Sequence, residues 1–371
     1  MKRCRIRFLG AFFVPLILLA LLTLLLPSKT FSTNENRPLA QRPVLSVSNI
    51  QTGNIQSGLS DYLCDQFPLR DFWNGVNTAL KKLSGRKEIN GIYLGADHYY
   101  FQQFTDDSYS ATRMASIFGM MDCFIQKQDI PATVMLVPSP GTVLSGKLPG
   151  NAPFYDADLV FATADRLLSC PVIDLRSCFE SAADDTPLYY RTDHHWTSQA
   201  AYLAYEQYCV SQGCSSGEYV LEQVSDNFYG TLYSRVLDRS AEPDVIYAPT
   251  ALSEATVIYE DGTVNDTPYH QDKLTQKDQY AYFFGGNYGT VMIKTRAQTT
   301  EKLLVIKDSF ANSFVPFLFD DYSEIIMLDL RYFDGSVENV IAENGVTQIL
   351  FLYETSNLLT DTGILRLQKE I

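Results

Sequence analysis

The sequence predicts an α/β protein, a three-layer α/β/α sandwich built around a parallel sheet. The main indication is that continuous apolar strands alternate with helical segments after residue 108. Such strands are buried on both faces, so helices must cover both sides of the sheet. In addition, 46% of the 371 residues are hydrophobic, which is enough for a packed core and too many for a disordered chain.

The elements can be placed from apolar runs and periodicity. Strands are predicted at 132–137, 171–174, 302–306, 325–329 and 348–352. Helices are predicted at 59–85, 108–128, 156–168, 197–212, 309–319 and 337–344, with a hairpin at 91–101. Residues 217–300 differ, because short alternating runs rich in Tyr, Thr, Asp and Gly predict a β-rich insertion there.

The N-terminus carries a targeting signal. Lys2, Arg3, Arg5 and Arg7 make the first seven residues basic. Residues 8–26 contain no charge, and this segment is long enough for a transmembrane helix. The basic end should stay in the cytoplasm, so we expect a single-pass anchor with the body outside the cell membrane. A cleaved signal peptide is the alternative, although no clear small-residue cleavage site follows Leu26. Residues 27–57 are polar and read as a linker, and the main domain is expected over 58–371.

Charge and cysteine content argue against two kinds of site, one for nucleic acid and one for zinc. The formal net charge of −14 argues against nucleic acid as a partner, since phosphate binding needs a basic surface. No Cys-x-x-Cys pair occurs, so a zinc site is not expected. Cys209 with Cys214, or Cys170 with Cys178, could form disulfides outside the cell; buried free thiols are the alternative.

One segment concentrates reactive residues. Residues 189–198 read Tyr-Tyr-Arg-Thr-Asp-His-His-Trp-Thr-Ser and hold two of the four histidines of the chain. In an extended segment Asp193 and His195 share a face while His194 points away. An Asp beside a His orients the ring and leaves its other nitrogen as a general base. A structural hydrogen bond, or a metal site at the two histidines, is the alternative.

A nucleophile is expected where a strand meets a helix. Ser309 follows the apolar strand 302–306, at the carboxyl edge of the sheet where sites in open α/β folds lie. A helix starting there would point N–H groups at a developing oxyanion, and Asn312 or Asn287 could add a donor. Arg331, just after another strand, is a candidate for binding a sugar or an anion. For Ser309 a simple helix cap, and for Arg331 a surface ion pair, are the alternatives.

These motifs resemble a known family. Residues 191–197 are similar to the signature of the bacterial DHHW family, which is related to the SGNH hydrolase-like proteins of alginate O-acetylation, the AlgX/AlgJ group. Further blocks resemble the family in the same order and extend the resemblance over residues 58–355: 67–72, 87–95, 283–287, 306–312 and 329–332.

The resemblance implies an SGNH-like sandwich with Ser309, His195 and Asp193 as a catalytic triad and no cofactor. The chain order of the triad is the reverse of that in SGNH esterases, and Lys307 stands where those esterases have Gly. The family implies acetyl transfer onto an exopolysaccharide or cell-envelope glycan, with the acyl donor delivered by a membrane-bound O-acyltransferase.

Three other functions stay open at this point. A carbohydrate esterase would use the same triad with water as the acceptor. A non-catalytic glycan-binding scaffold would have the triad residues far apart, or Ser309 buried. A metal-dependent phosphoesterase would have carboxylates clustered around His194 and His195.

Overall fold

The computed structural model describes residues 2–250 and 252–370. The chain forms two compact units: an N-terminal unit of residues up to 89 with 233–240, and a main unit of 90–232 and 241 onward. The helices and strands of the N-terminal unit are α1 Lys2–Leu25, β1 Phe31–Ser32, β2 Arg37–Pro38, α2 Val47–Gln51, α3 Asn54–Asp65, α4 Arg70–Leu83 and β3 Glu88–Ile89.

Two predictions for the N-terminal unit need correction. Of the residues described, no helix combines the length and the apolar character that crossing a membrane requires, so the transmembrane helix predicted over 8–26 is not found. The single helix predicted over 59–85 is two helices, α3 and α4. Pro68 disfavours helical backbone at Phe67, and Leu69 has a left-handed conformation with φ of 59°, so the helix is interrupted there.

The main unit alternates helices and strands, as predicted. Its helices are α5 Ala111–Gln128, α6 Pro140–Val143, α7 Ala157–Leu167, α8 Arg176–Ala182, α9 Ser198–Gln212, α10 Thr231–Val236 (which begins in this unit), α11 Ala311–Phe314, α12 Val337–Asn344 and α13 Thr355–Thr360. Its strands are β4 Ile92–Leu94, β5 Tyr100–Gln102, β6 Ala132–Val137, β7 Val172–Asp174, β8 Leu221–Phe228, β9 Asp244–Pro249, β10 Ala255–Tyr259, β11 Val264–Asn265, β12 Thr290–Thr295, β13 Lys302–Lys307, β14 Glu324–Leu328 and β15 Gln348–Glu354.

The central sheet has eight strands in the order β11-β10-β12-β14-β13-β15-β6-β7. The strands from β14 to β7 are parallel, which confirms the predicted α/β fold with a mostly parallel sheet. The strands β10, β11 and β12 extend it on one side as antiparallel neighbours. The remaining strands of segment 217–300, β8 and β9, form a separate antiparallel pair.

Both faces of the sheet are buried. Along β13, Leu303 and Val305 point into one apolar cluster, while Leu304 and Ile306 point into the other. The first cluster includes residues of α9 and α11, and the second includes residues of α5, α7 and α12. The sheet therefore has a helical layer on each side, and β13 lies between the two layers.

The helix predicted from 309 to 319 is shorter than expected. It consists of the single turn α11 followed by a 3₁₀ turn, Val315–Leu318. Pro316 explains the change, because it lacks the N–H that would continue the α-helical hydrogen bonds.

Candidate active site

The segment that carries Asp193 and His195 is a tight loop and not an extended strand. A backbone bridge joins Tyr189 to Trp196, and the Tyr190 N–H donates to the His195 carbonyl at 3.2 Å. Thr197 then caps α9, because its side-chain oxygen accepts from the Ala200 N–H at 3.2 Å. The loop is thereby closed at its base and fixed to the start of a buried helix.

Three predicted residues come together at the end of β13. The Nδ1 atom of His195 lies 2.6 Å from Oδ1 of Asp193, and its Nε2 lies 2.7 Å from Oγ of Ser309. A carboxylate only accepts, so Asp193 receives the Nδ1–H and leaves Nε2 free to accept the Ser309 hydroxyl proton. All three residues are buried, and Ser309 exposes 6% of its surface. A buried serine is one of the two features expected of a scaffold, whereas the short distances are those expected of an enzyme.

Asp193 is held as an ion by its neighbours. Burial alone would favour the protonated form, but His194, His195 and hydrogen bonds together lower the pKa of Asp193 well below its usual range. One of these bonds comes from the Thr231 N–H, 2.7 Å from Oδ2, and the Thr231 hydroxyl donates to the same oxygen at 3.0 Å. Gly230 packs so closely that a Cβ there would lie 2.2 Å from the Cβ of Asp193.

The His195 ring is positioned by an aromatic residue that sequence reasoning missed. Tyr280 stacks on it with ring centroids 3.8 Å apart and an angle of 12°. The Tyr280 hydroxyl donates to the Ser309 carbonyl at 3.1 Å, so one side chain contacts both members of the proposed proton-transfer pair. Trp196 also connects the loop of His195 to the turn after Ser309, because its Nε1–H donates to the Phe310 carbonyl at 2.9 Å.

The turn that presents Ser309 is fixed by Asp308. Its Oδ1 accepts from the Phe310 N–H at 2.9 Å, and its Oδ2 accepts from the Glu354 N–H at 3.0 Å and from Asn357 Nδ2 at 2.9 Å. Burial raises the pKa of Asp308 to about 6. The Phe310 N–H is therefore already bonded to a side chain, and α11, which follows it, is a single turn.

A chain of polar side chains begins at the buried Lys307. Its Nζ donates to Oδ1 of Asn312 at 2.7 Å, and Nδ2 of Asn312 donates to Oδ1 of Asn287 at 3.1 Å. An ammonium group only donates, so this order fixes both amides and leaves Nδ2 of Asn287 as the terminal donor. Burial lowers the pKa of Lys307 to about 8, although the nearby Asp329 opposes this shift. The two asparagines predicted as oxyanion donors thus lie in contact with each other.

Arg331 is engaged in an ion pair. Its Nε and Nη2 lie 2.8 and 2.6 Å from the two carboxylate oxygens of Asp329, and its backbone N–H also donates to Asp329. The carboxylate is fully buried, while about a third of the arginine side chain is exposed. This bidentate pair joins Arg331 to a buried carboxylate at the turn after β14.

His194 does not point away from Asp193, contrary to the expectation from an extended segment. The two histidine rings lie 3.9 Å apart, and Nδ1 of His194 is 2.8 Å from the Thr231 hydroxyl. Burial and the neighbouring His195 lower the pKa of His194 to about 4, even though 31% of its side chain is exposed. Ligand atoms of Asp193, His194 and His195 all lie within 4.8 Å of one another, close enough to hold a metal ion.

Two protein-family models match parts of the chain. The DHHW protein family model matches residues 170–328, which include Asp193, His195 and Ser309. The resemblance to the DHHW family is confirmed. A second family model, described as SGNH hydrolase-like domain, acetyltransferase AlgX, matches residues 94–211. No curated protein sequence matches the chain.

Solved structures share the fold. A DHHW family protein from Eubacterium siraeum is 24% identical with a TM-score of 0.64, over 76% of this chain and 96% of that one. Bacillus cereus PatB1, solved with a sulfonyl adduct, is 23% identical with a TM-score of 0.61, over 74% of this chain and 97% of PatB1. At this identity the likeness shows a common α/β architecture.

Proposed function

We propose that the chain is an O-acyltransferase that moves an acyl group, most simply acetyl, from a donor to a glycan hydroxyl through Ser309. The hydrogen-bonded series Asp193, His195 and Ser309 carries this proposal, since its two short contacts have the geometry of a nucleophile, a general base and an orienting carboxylate. The match to an acetyltransferase family model over residues 94–211 supports the choice of reaction.

The reaction has two halves. Ser309 Oγ attacks the donor carbonyl carbon, its proton moves to His195 Nε2, and the donor's leaving group departs with that proton. The acceptor hydroxyl then attacks the acyl carbonyl and gives its proton to His195, which returns it to Ser309 Oγ as the ester bond to serine breaks. Asp193 stabilises the imidazolium formed in each half.

The tetrahedral intermediate needs a hydrogen-bond donor for its oxyanion. In our proposal this donor is Nδ2 of Asn287, which the Lys307–Asn312–Asn287 chain leaves without a hydrogen bond to any described residue. The buried charge of Lys307 polarises the two amides and strengthens the terminal N–H as a donor. Arg331 is not assigned a role in this scheme; its Nε and Nη2 bind Asp329.

The remaining parts of the proposal concern place and partners. A body outside the cytoplasm is supported by the basic residues before the uncharged segment 8–26, a pattern that the signal-peptide alternative shares. A glycan acceptor, and delivery of the acyl group by a membrane-bound O-acyltransferase, are supported by the resemblance to the DHHW and AlgX/AlgJ proteins alone.

The test is acylation of Ser309. The chain is incubated with 4-nitrophenyl acetate, and separately with a sulfonyl fluoride, because PatB1 has been solved with a sulfonyl adduct. The parent should release nitrophenol and gain one adduct, mapped to Ser309 by mass spectrometry. Ser309→Ala and His195→Ala should fall to background, while the exposed Ser211→Ala should behave as the parent.

A parent no faster than Ser309→Ala, with both folded by circular dichroism, would replace this proposal with the scaffold. If the acyl-serine forms, the product distinguishes transferase from esterase: acetylated saccharide from a glycan mixture supports transfer, whereas free acetate alone supports hydrolysis.

A further inference from the structure

The helix α4, in the N-terminal unit, carries an exposed apolar stripe. Its members recur every three or four residues along the helix: Phe72, Trp73, Val76, Leu80 and Leu83. Val76 is half-buried and the other four are exposed, Leu80 to 60% and Leu83 to 84%. The helix therefore presents large apolar side chains to its surroundings.

The face of α4 that packs on its own unit carries small and polar residues instead. Gly75 and Thr78 are the buried residues of the helix. The Thr78 hydroxyl donates to the Val236 carbonyl at 2.6 Å, and a Cβ at Gly75 would lie only 2.9 Å from Nε of Arg239. A surface helix ordinarily buries its apolar stripe and exposes its polar face, so α4 has the reverse arrangement.

Basic residues collect at the end of the stripe. Residues 70–87 hold five basic residues and one acidic residue, whereas the whole chain holds 29 basic and 43 acidic residues. After α4, Gly85 has a left-handed φ of 81°, and the Arg86 N–H donates to the Lys81 carbonyl at 3.1 Å. This turn keeps Arg86 and Lys87 close to the last turn of the helix.

Three of these cations are available to an outside group. Lys82 is engaged, since its Nζ lies 2.5 Å from Oδ2 of Asp238. Among the residues that the structure describes, no carboxylate forms an ion pair with Lys81, Arg86 or Lys87, and Arg86 and Lys87 are exposed. The end of the stripe is thus locally cationic in a chain of net charge −14.

A cavity continues the apolar surface of the stripe within the N-terminal unit. Its volume is about 430 Å³, and Phe72 lines it together with the exposed Phe67 and Leu69. Leu26, the last residue of the uncharged segment 8–26, lines the same cavity. The exposed apolar surface therefore extends from α4 to the end of that segment.

The occupant of this surface must be apolar beside the stripe and anionic beside the cations. A second copy of the chain, docked through the same face, would bring like charges together. An apolar protein helix would cover the stripe and leave the cations unpaired. A bilayer that contains anionic lipids supplies both hydrocarbon and negative headgroups, and a Trp within an apolar stripe suits the boundary between them.

We propose that α4 lies in the surface of an anionic bilayer, with its stripe at the boundary of headgroups and hydrocarbon and with Lys81, Arg86 and Lys87 among the headgroups. The helix has 14 residues and is about 21 Å long, so it lies along the bilayer and does not cross it. This inference goes beyond the proposed reaction and is independent of it, because it uses no residue of the triad.

The experiment uses the two tryptophans of the chain as reporters. Trp73 lies in the stripe, whereas Trp196 is fully buried in the main unit, so a quencher carried on lipid chains should reach Trp73 alone. The full chain is mixed with vesicles of brominated phosphatidylcholine, with or without phosphatidylglycerol. Loss of tryptophan emission is measured against matched vesicles without bromine, because bromine quenches tryptophan on contact.

Vesicles with phosphatidylglycerol should quench the parent at least about threefold more than neutral vesicles, since each cation near an anionic surface favours binding about fivefold. The double variant Leu80→Asp, Leu83→Asp should lose most of this quenching, and Trp73→Phe should lose all of it. The triple variant Lys81→Gln, Arg86→Gln, Lys87→Gln should be quenched weakly in both kinds of vesicle.

The matched control is Val210→Asp, which places the same charge at a valine that is 71% exposed on α9, and it should behave as the parent. Circular dichroism checks that every variant is folded; all but Lys81, which is partly buried, change exposed residues.

Three outcomes would overturn the proposal. The first is a parent that is not quenched, or a folded Leu80→Asp, Leu83→Asp variant that is quenched as much as the parent, even if the chain sediments with the vesicles. The second is equal quenching in neutral and anionic vesicles, which removes the role of the cations. The third is an unquenched parent whose self-association in analytical ultracentrifugation is lost in the double variant, which would assign the stripe to a second copy of the chain.

Discussion

Asp193 and Lys307 are both buried ions beside Ser309, and their surroundings affect their charge in opposite ways. The neighbouring His194 and His195, together with hydrogen bonds from His195 and Thr231, lower the pKa of Asp193 and keep it ionised despite its burial. Lys307 donates to the amide oxygen of Asn312, and burial lowers the pKa of Lys307 to about 8. The charge of Asp193 is thus secure at neutral pH, while that of Lys307 is lost within a moderately alkaline range.

The titration of Lys307 predicts a pH dependence of acylation. The lysine is charged below pH 8 and neutral above it, so the polarisation of Asn312 and Asn287 disappears as pH rises. We expect the turnover number of the parent to fall through about pH 8, and that of Lys307→Met to be low at every pH without this fall. The measurement is 4-nitrophenyl acetate turnover from pH 6 to 10, corrected for background hydrolysis. The control Lys302→Met, on the same strand, should show the same decrease in turnover number as the parent. If Lys307→Met also showed this decrease, the titrating group would be a different residue.

Asn287 predicts a specific kinetic effect. If its Nδ2 stabilises the oxyanion, Asn287→Ala should reduce the turnover number by about 10²–10³ with little change in KM, because the contact strengthens only in the transition state. The exposed Asn339→Ala is the matched control and should behave as the parent. A raised KM with an unchanged turnover number would show that Asn287 binds the donor and does not stabilise the transition state.

At the scale of elements, the active site depends on a loop without regular periodicity. The turn between β8 and α10 brings Gly230 and Thr231 against Asp193, although more than thirty residues separate them along the chain. The glycine leaves room for the carboxylate, and the threonine binds it. Without this turn Asp193 would be a buried ion with fewer hydrogen bonds, which is unfavourable.

Gly230 therefore offers a test of that packing. A Cβ at this position would lie 2.2 Å from Cβ and 2.3 Å from Oδ2 of Asp193, so Asp193 must move in Gly230→Ala. We expect a loss of about 1–3 kcal/mol in the free energy of unfolding and turnover reduced at least about 100-fold. Urea unfolding and esterase kinetics measure the two effects. Gly119→Ala, inside α5 with open space around it, should be neutral or stabilising. Parent-like turnover in Gly230→Ala would contradict the predicted role of Asp193.

The turn between β8 and α10 also illustrates which features could not be predicted from the sequence. Strands such as β6 and β13 were predictable because buried parallel strands are continuous apolar runs. The motifs at 191–197 and 306–312 located Asp193, His195 and Ser309. Thr231 and Tyr280 carry no comparable signal, because their contacts are long-range and arise in the irregular segment 217–300. The orientation of His194 was missed for a related reason: alternation holds for a strand, whereas this segment is a closed loop.

At the scale of the whole molecule, the main unit is stabilised by two apolar cores on the faces of one sheet. The side chains of β6 and β13 alternate between these cores, so each strand contributes to both layers. A body of this size can bury enough apolar surface to be stable without covalent links. This matters for the cysteines, since the expected location outside the cytoplasm permits disulfides and the sequence left their state open.

The structure favours free thiols. Of the described residues, Cys64, Cys123, Cys170, Cys178, Cys209 and Cys214 are all unpaired. Cys209 is fully buried, and burial raises the pKa of its thiol to about 12, so little thiolate forms at neutral pH. Cys214 is exposed, and its thiol donates to the Cys209 carbonyl at 3.5 Å.

We therefore predict that reduction leaves the stability of the protein unchanged. A native disulfide contributes about 2–5 kcal/mol, and its loss would lower Tm by several degrees in a domain of this size. Dithiothreitol should leave the thermal unfolding curve within error, and peptide mapping after maleimide labelling should find Cys214 modified in the folded protein and Cys209 modified only after denaturation. A linked Cys209–Cys214 peptide together with a lower Tm on reduction would contradict this. The end of α9 would then be covalently stapled, and part of the stability assigned to the two cores would belong to that bridge.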